Sequence, residues 1–524
     1  MHYRRVPKGL FFFFLYLNFL VFSGCGKEQD EKATNSSSNV TIDQINSARP
    51  VPPLEQLSQV EPSPAPGSKV LGTPSRFEKL LAVLGEFGID DESSYRHLVR
   101  EFSELTTRRE FEARLKYIDP QNELTRYAIW DDHQLSLYRD RDSKRIKDFS
   151  IRFAPEDHSR ELRTVNDLTT KIAALRENSV DLPLKGLRVA IDAGHMHSGE
   201  WDSITGKYVK MNDKFVSEGF ITFATAQAFS RELRNLGAET LLIRDSADAV
   251  TKESFSEFDL TPYAHAELLA ATDRAWFDSI LSIFDIGADL FSAFENSEDR
   301  KRIYSESRRV SVFTHRVDLA ARIERALEFK PDITVIIHYD AWSWGQNPPD
   351  FNESRTYIMG NVMPGEAASR EDRALILREL LNPVRWDLSL DMSKHMVQSL
   401  SKRVDVPVKN SPTDFGSIRV EDGVYARNLG LTRRIYHGLL TYFECMMYEN
   451  PKEFEMMSTH DSRYGDYPAR VDAVAEGLTR GVLNFVGHQS VVYGEIPEST
   501  PLPSPTVAPA PEQPEATPEA APIL

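Results

Sequence analysis

Four side chains stand where apolar runs begin or end: His195 beyond 187–192, Glu218 before the run that opens at Phe220, His338 closing 332–337, and Glu444 closing 439–443. A catalytic metal site takes three protein ligands, drawn from imidazole nitrogens and carboxylates, and leaves one position open to water. His195, Glu218 and His338 could supply that set. An ion held this way lowers the pKa of water to about 7 and polarises a carbonyl oxygen. A carboxylate beside the metal rather than on it can carry a proton for that water, and Glu444 closes another apolar run. Taken singly, each residue has an ordinary explanation: a strand-end histidine is commonly a hydrogen-bonded scaffold residue, and a first-turn glutamate is favoured by the helix dipole. The elements that carry them have to decide.

Those elements alternate. A short apolar strand over 187–192 is followed by an amphipathic helix over 220–236 closed by Gly237, a strand over 239–244, a helix over 317–328 and a strand over 332–338. Further strands are expected at 355–359 and 439–444, with helices near 391–403 and 468–485. The order predicts an α/β fold, a mixed twisted sheet with helices on both faces. In open sheets of this kind functional groups collect beyond the carboxyl ends of the strands, which is where His195, His338 and Glu444 fall.

The spelling of these segments carries a resemblance. Val189-Ala-Ile-Asp-Ala-Gly-His195 resembles the opening motif of the zinc-dependent N-acetylmuramoyl-L-alanine amidases, and Val216-Ser-Glu218 resembles the segment that holds their glutamate ligand. Arg322 to Ala326, followed by Pro331-Asp-Ile-Thr-Val-Ile-Ile-His338-Tyr-Asp-Ala341, looks like the family's path to its second histidine. Leu440-Thr-Tyr-Phe-Glu444, continued by Glu449-Asn450-Pro451-Lys-Glu453, is similar to its last strand and catalytic glutamate. The resemblance spans about 187–486. It implies zinc on His195, Glu218 and His338, Glu444 as general base, and cleavage of the amide between N-acetylmuramic acid and L-alanine in bacterial peptidoglycan. Met196 and His197 depart from the family, which has glycines there. Arg427 and Asn428 are candidate contacts for a stem-peptide carboxylate, which suits a guanidinium fork. Asp192 and Asp340 could orient an imidazole or simply make turn hydrogen bonds.

The rest of the chain sets the context. Arg4, Arg5 and Lys8 precede an apolar run over 10–22 and then Ser23-Gly24-Cys25, a secretory leader whose end resembles a lipobox; lipidation is expected at Cys25. With Gly26 next, the resemblance to lipoproteins implies a lipid-anchored protein of the cell envelope, facing the periplasm from the outer membrane. Residues 26–74 are polar and Pro-rich, a tether; 495–524 form a Pro/Ala-rich tail. Residues 75–180 show helical spacing and predict a mostly helical accessory region, ahead of a catalytic domain over 185–490. An insertion over about 246–310, with an amphipathic stretch at 264–284, is long enough to fold over the rim and gate it. A formal charge of -17 excludes nucleic acid as a partner and keeps the chain off anionic lipid, so membrane attachment has to come from something covalent or from a hydrophobic segment, and the N-terminus offers both. With Cys25 lipidated, Cys445 is the one other cysteine and no disulfide framework is expected. An activating protein partner is left open. Two other functions are consistent with the residues alone: a catalytically silent lipoprotein that grips peptidoglycan, and a metallopeptidase acting within the stem.

Overall fold

The computed structural model describes residues 93–139, 141–142, 144, 147–156, 167–260, 305–343, 345–367, 369–414, 416–459 and 467–488. The expected leader with Cys25, the tether, the tail and the middle of the insertion, including 264–284, lie outside them. In chain order the strands are β1 (Ala128–Trp130), β2 (Gln134–Tyr138), β3 (Lys147–Arg152), β4 (Arg188–Ala193), β5 (Tyr208–Met211), β6 (Lys214–Ser217), β7 (Glu239–Leu242), β8 (Ile333–Asp340), β9 (Arg355–Ile358), β10 (Thr413–Asp414), β11 (Ser417–Glu421), β12 (Val424–Ala426) and β13 (Leu439–Met447). The helices are α1 (Ser93–Arg100), α2 (Arg108–Ile118), α3 (Asp167–Leu175), α4 (Gly199–Thr205), α5 (Glu218–Asn235), α6 (Glu306–Val312), α7 (Leu319–Phe329), α8 (Arg370–Leu381), α9 (Arg385–Val404), α10 (Gly430–Arg434), α11 (Pro451–Met457) and α12 (Ala469–Val486).

Eight strands join in the order β10-β11-β12-β9-β13-β8-β4-β7. Strands β7, β4, β8 and β13 run parallel; β9 pairs antiparallel with β13, and β10 to β12 extend the sheet beyond β9. Strand β8, Ile-Thr-Val-Ile-Ile-His-Tyr-Asp, is buried along nearly its whole length, as a central strand covered on both faces must be. Alternation then sorts its neighbours. Val189, Ile191, Val335, Ile337 and Phe443 face a large core shared with α5, α9 and α12, while Ala190, Ile336 and Leu440 face a smaller cluster with α7 and α10. Helices α9 and α12 lie unusually close because Gly477 and Gly481 leave room for the backbone of Leu400 and Met396; a Cβ on Gly481 would come within 2.4 Å of the Met396 Cα.

The accessory region holds helices α1 to α3 as its spacing predicts, and also a three-stranded antiparallel sheet, β1-β2-β3, that helical periodicity could not announce. Val99, Phe111, Leu135 and Ile151 belong to the same hydrophobic cluster as Ile191, Ile337 and Phe443, so the accessory region and the main sheet share one core. Polar ties reinforce the seam. Arg114 donates to the carbonyls of Leu380 (3.1 Å) and Pro383 (2.8 Å), and Thr106 donates to Leu381 (2.6 Å). The described ends of the insertion fold onto the turn after β4: Met196, Trp201, Phe258, Leu260, Val312 and Phe313 form a small core of their own. Helices α6 and α7 are joined by a π-helical stretch, Phe313–Asp318, whose Asp318 pairs with Arg244 inside the protein at 2.8 Å. Among the described residues no helix is long and apolar enough to cross a membrane.

Candidate metal centre

Three elements bring the expected ligands together. His195 leaves β4 two residues past its end, His338 lies near the end of β8, and Glu218 is the first residue of α5. Ser217 caps that helix by accepting from the Phe220 amide at 3.1 Å and donates to Asp202 at 2.5 Å, which fixes the direction in which Glu218 leaves the backbone. His195 Nε2 stands 3.3 Å and His338 Nδ1 3.1 Å from the same oxygen, Glu218 Oε1. One donor atom from each of the three residues lies within 4.8 Å of the others, so the group could hold a metal ion.

The packing shows what any side chain at 194 would meet. A Cβ on Gly194 would sit 2.4 to 2.6 Å from three atoms of the His338 ring, so the glycine serves close approach of the second imidazole rather than a left-handed turn. Gly219 does the same at the start of α5, where a Cβ would strike the Met196 carbonyl oxygen at 2.3 Å and push the helix off the His195 turn. On the other side of His338, the Tyr442 ring stacks at 4.6 Å and 11°. Register sets this contact: Glu444 of β13 pairs with His338 of β8, and Tyr442 lies two residues before it on the same face.

Electrostatics favour the protonation states a cation needs. Burial pushes His195 down to about 3 against the attraction of Glu218, and lowers His338 as well. Burial works to raise Glu218, yet the facing imidazoles hold it well below the usual carboxylate range. Neutral imidazoles and an ionised carboxylate are what a divalent cation binds. Glu444 is different. Burial, with Asp340 nearby, drives its carboxyl well above the ordinary range, opposed by Arg355 and Arg427. Its Oε2 is buried and has no hydrogen-bond partner among the described residues, a buried acceptor left for something that is not protein.

The remaining candidates fall out as follows. Arg427 is partly buried, its guanidinium 5.3 Å from the centroid of the Tyr357 ring and close enough to act on Glu444. Asn428 is engaged within the protein. It is buried, donates to Glu366 at 2.5 Å and accepts from Arg433 at 2.8 Å, so its amide is consumed in the wall between α8 and α10. Asp192 orients no imidazole; Arg322 of α7 grips it with two hydrogen bonds, the Nε to Oδ1 bond at 3.1 Å. Asp340 is held by Arg355, which also reaches Asp414 at 2.8 Å. His197 stays outside the ligand set, set against Phe220 and Phe223. Sequence reasoning misses Tyr442, although its i−2 spacing from Glu444 in a strand places both on one face. The two buried arginine–aspartate pairs have no such signal, because their partners are 130 and 15 residues apart.

No protein-family model matches the chain, and no curated protein matches it. Solved structures do. The CwlD amidase of Clostridioides difficile, solved with the GerS lipoprotein, is 13% identical over 57% of this chain and 98% of its own, with a TM-score of 0.33. The N-acetylmuramyl-L-alanine amidase Ami1 of Mycobacterium smegmatis is 14% identical over 58% of this chain and 98% of its own, with a TM-score of 0.32. The catalytic domain of CwlV, an N-acetylmuramoyl-L-alanine amidase of Bacillus (Paenibacillus) polymyxa var. colistinus, is 13% identical over 57% and 97%, with a TM-score of 0.28.

Proposed function

We propose that the chain is a zinc-dependent amidase that hydrolyses the bond between N-acetylmuramic acid and L-alanine in bacterial peptidoglycan. What carries the proposal is the convergence of His195, Glu218 and His338 beside Glu444, whose buried Oε2 has no protein partner among the described residues. Two imidazoles and a carboxylate are a donor set suited to zinc, and fewer than four protein ligands leave room for water and substrate. When bound, such an ion supplies Lewis acidity toward the scissile carbonyl and makes water acidic enough to give up a proton near neutral pH.

The protein's own groups supply the rest. Glu444 accepts the proton of the attacking water at its unpartnered oxygen and returns it to the amine, which cannot leave as an amide anion at neutral pH. Its raised pKa helps the second half of that exchange, since a carboxyl that holds its proton firmly in the absence of cation is a competent donor once the amine develops charge. With a cation bound at the three ligands, Glu444 would be drawn back toward ionisation, which suits the first half. Tyr442, stacked on His338, fixes the plane of that imidazole. Arg322 neutralises Asp192 directly below the His195 turn, so no second carboxylate competes for the ion there.

The test is release of stem peptides from purified sacculi. Glu444→Ala should retain zinc at the wild-type stoichiometry and lose hydrolysis by at least about a hundredfold, the scale of a lost general acid–base. Full hydrolysis by that variant would remove Glu444 from the mechanism, and products that do not begin at the first stem alanine would remove the amidase assignment. The same proposal places the chain in the cell envelope, lipid-anchored through Cys25 and facing the wall from the outer membrane. Cys25→Ala should then move it from the membrane to the soluble fraction; retention on the membrane would refute the anchor.

A further inference from the structure

Among the described residues three aromatic side chains are exposed: Phe215 at 48%, Trp342 at 73% and Phe351 at 48%. Their places are not scattered. Phe215 stands on the β5–β6 hairpin that runs directly into Glu218, and Trp342 and Phe351 stand on the loop that leaves β8 after His338. Both segments start or end on a metal-site residue, and they touch: a Cβ on Gly345 would meet the Lys210 carbonyl oxygen at 2.8 Å and the Val209 side chain at 3.1 Å.

The loop is held rigid by two consecutive buried residues. Glu449 accepts from the amides of Trp342, Ser343 (2.7 Å) and Gly345 (3.0 Å) and from the Ser343 hydroxyl (3.2 Å). Asn450 donates to the carbonyls of Pro349, Asp350 and Phe351 at 3.1 to 3.3 Å. The rings of Trp342 and Phe351 meet edge to face at 6.3 Å. A loop so fully bonded does not expose a tryptophan because it is slack, and an anchor already ordered before binding loses little entropy when a ligand arrives.

We propose that Phe215, Trp342 and Phe351 form a glycan subsite, on which sugar rings of the peptidoglycan strand stack while the adjoining amide lies at the metal centre. The proposal rests on the amidase function proposed above. A pyranose has an apolar C–H face and a polar rim, and an aromatic ring offers its negative π face to such hydrogens. The surface here has the matching texture. Exposed Asn212, Asp213, Gln346, Asn347 and Asp350 belong to the same two segments as the three rings, so a sugar that stacks there has polar partners at hand for its hydroxyls. An acyl chain or a second apolar surface would strip those polar groups of water, and the two carboxylates repel an anionic membrane.

The experiment measures binding of the full-length zinc-loaded chain, carrying Glu444→Ala, to glycan strands already freed of stem peptides. Adding Trp342→Ala should weaken that binding about tenfold, Phe215→Ala should weaken it less, and Trp342→Phe should recover most of the loss. On intact sacculi with Glu444 present, the Trp342→Ala loss should fall on KM rather than kcat. Equal glycan affinity with and without Trp342 overturns the subsite, as does a variant that loses vesicle binding or self-association while its glycan affinity stands. Stem-peptide release together with unchanged glycan affinity would leave the amidase and remove the subsite. Trp342-dependent glycan binding without any release would keep the subsite and remove the amidase.

Discussion

Replacing Gly194 by alanine isolates the geometry of the metal centre from everything else. The backbone at 194 is not left-handed, so the substitution brings no conformational strain of its own; the nearest obstacle is the His338 ring, whose Cε1, Nδ1 and Nε2 would lie 2.4, 2.6 and 2.6 Å from the new methyl. Ordinary van der Waals contact begins near 3.4 Å, so the imidazole has to retreat by about 1 Å. Tyr442 stacked at 4.6 Å on the ring blocks a simple slide. A displacement of about 1 Å at a reacting centre costs on the order of a hundredfold in rate, and disturbing a ligand's orientation costs about ten- to a hundredfold in metal affinity. Folding should suffer less, by about 1 to 3 kcal/mol of overpacking. The assay is competition with a chromophoric chelator, read beside a urea melt run without metal. The expected result is a zinc affinity lower by at least about tenfold with a cooperative melt retained. Wild-type zinc affinity in a folded G194A protein would show that His338 is not a ligand in the position described.

Two other predictions test the frame around the site. Arg322→Ala strands the buried Asp192 carboxylate without its guanidinium and should cost about 3 to 5 kcal/mol by denaturant melts, while Arg322→Ala with Asp192→Ala should cost clearly less than the two single losses together; a loss under about 1 kcal/mol for the single variant would contradict the pairing. Two buried carboxyls should add to stability a component that falls from acid toward neutral pH, set against one that rises from the buried imidazoles of His195 and His338, whose pKa values burial lowers. Burial raises Glu366 and Glu232 to about 7, each above a value of 4.5 for an unburied glutamate, so between 4.5 and about 7 the folded chain holds protons that the unfolded chain has released. Their contribution is complete below 4.5 and gone above 7. In metal-free melts at pH 5 and pH 7, Glu366→Gln should gain stability at pH 7 relative to pH 5 compared with the unsubstituted chain; an unchanged difference between the two pH values in that variant would refute the assignment to Glu366.

Much of this arrangement is readable from the sequence, for identifiable reasons. His195, Glu218 and His338 can be singled out because each terminates an element whose periodicity is unambiguous, and the carboxyl edge of a parallel sheet brings such termini together whatever the loops do. Strands β4, β8 and β13 announce themselves through apolar runs, whereas β10 to β12, only two to five residues each, do not. Asn428 shows what one dimension leaves out: only the fold reveals that Glu366, 62 positions earlier, accepts from its amide. Phe215 and Trp342 cannot be told from core aromatics in the sequence, since exposure is a property of what packs against a side chain. The accessory strands β1 to β3 elude a search for helical spacing because each is short and flanked by charge.

Glu444 and His338 occupy paired positions on adjacent parallel strands, so the gap between their backbones is simply the pitch of a β-sheet, about 4.8 Å. No loop sets that number. The connections around the rim can lengthen, take up foreign segments or change composition without altering the distance between Glu444 and the imidazole beside it. A slip of one residue between β8 and β13, in contrast, would turn Glu444 to the opposite side of the sheet, where Phe443 now lies in the hydrocarbon interior. Natural variation in such a protein is therefore free at its periphery and confined, at its chemical centre, to changes that keep two strands in step.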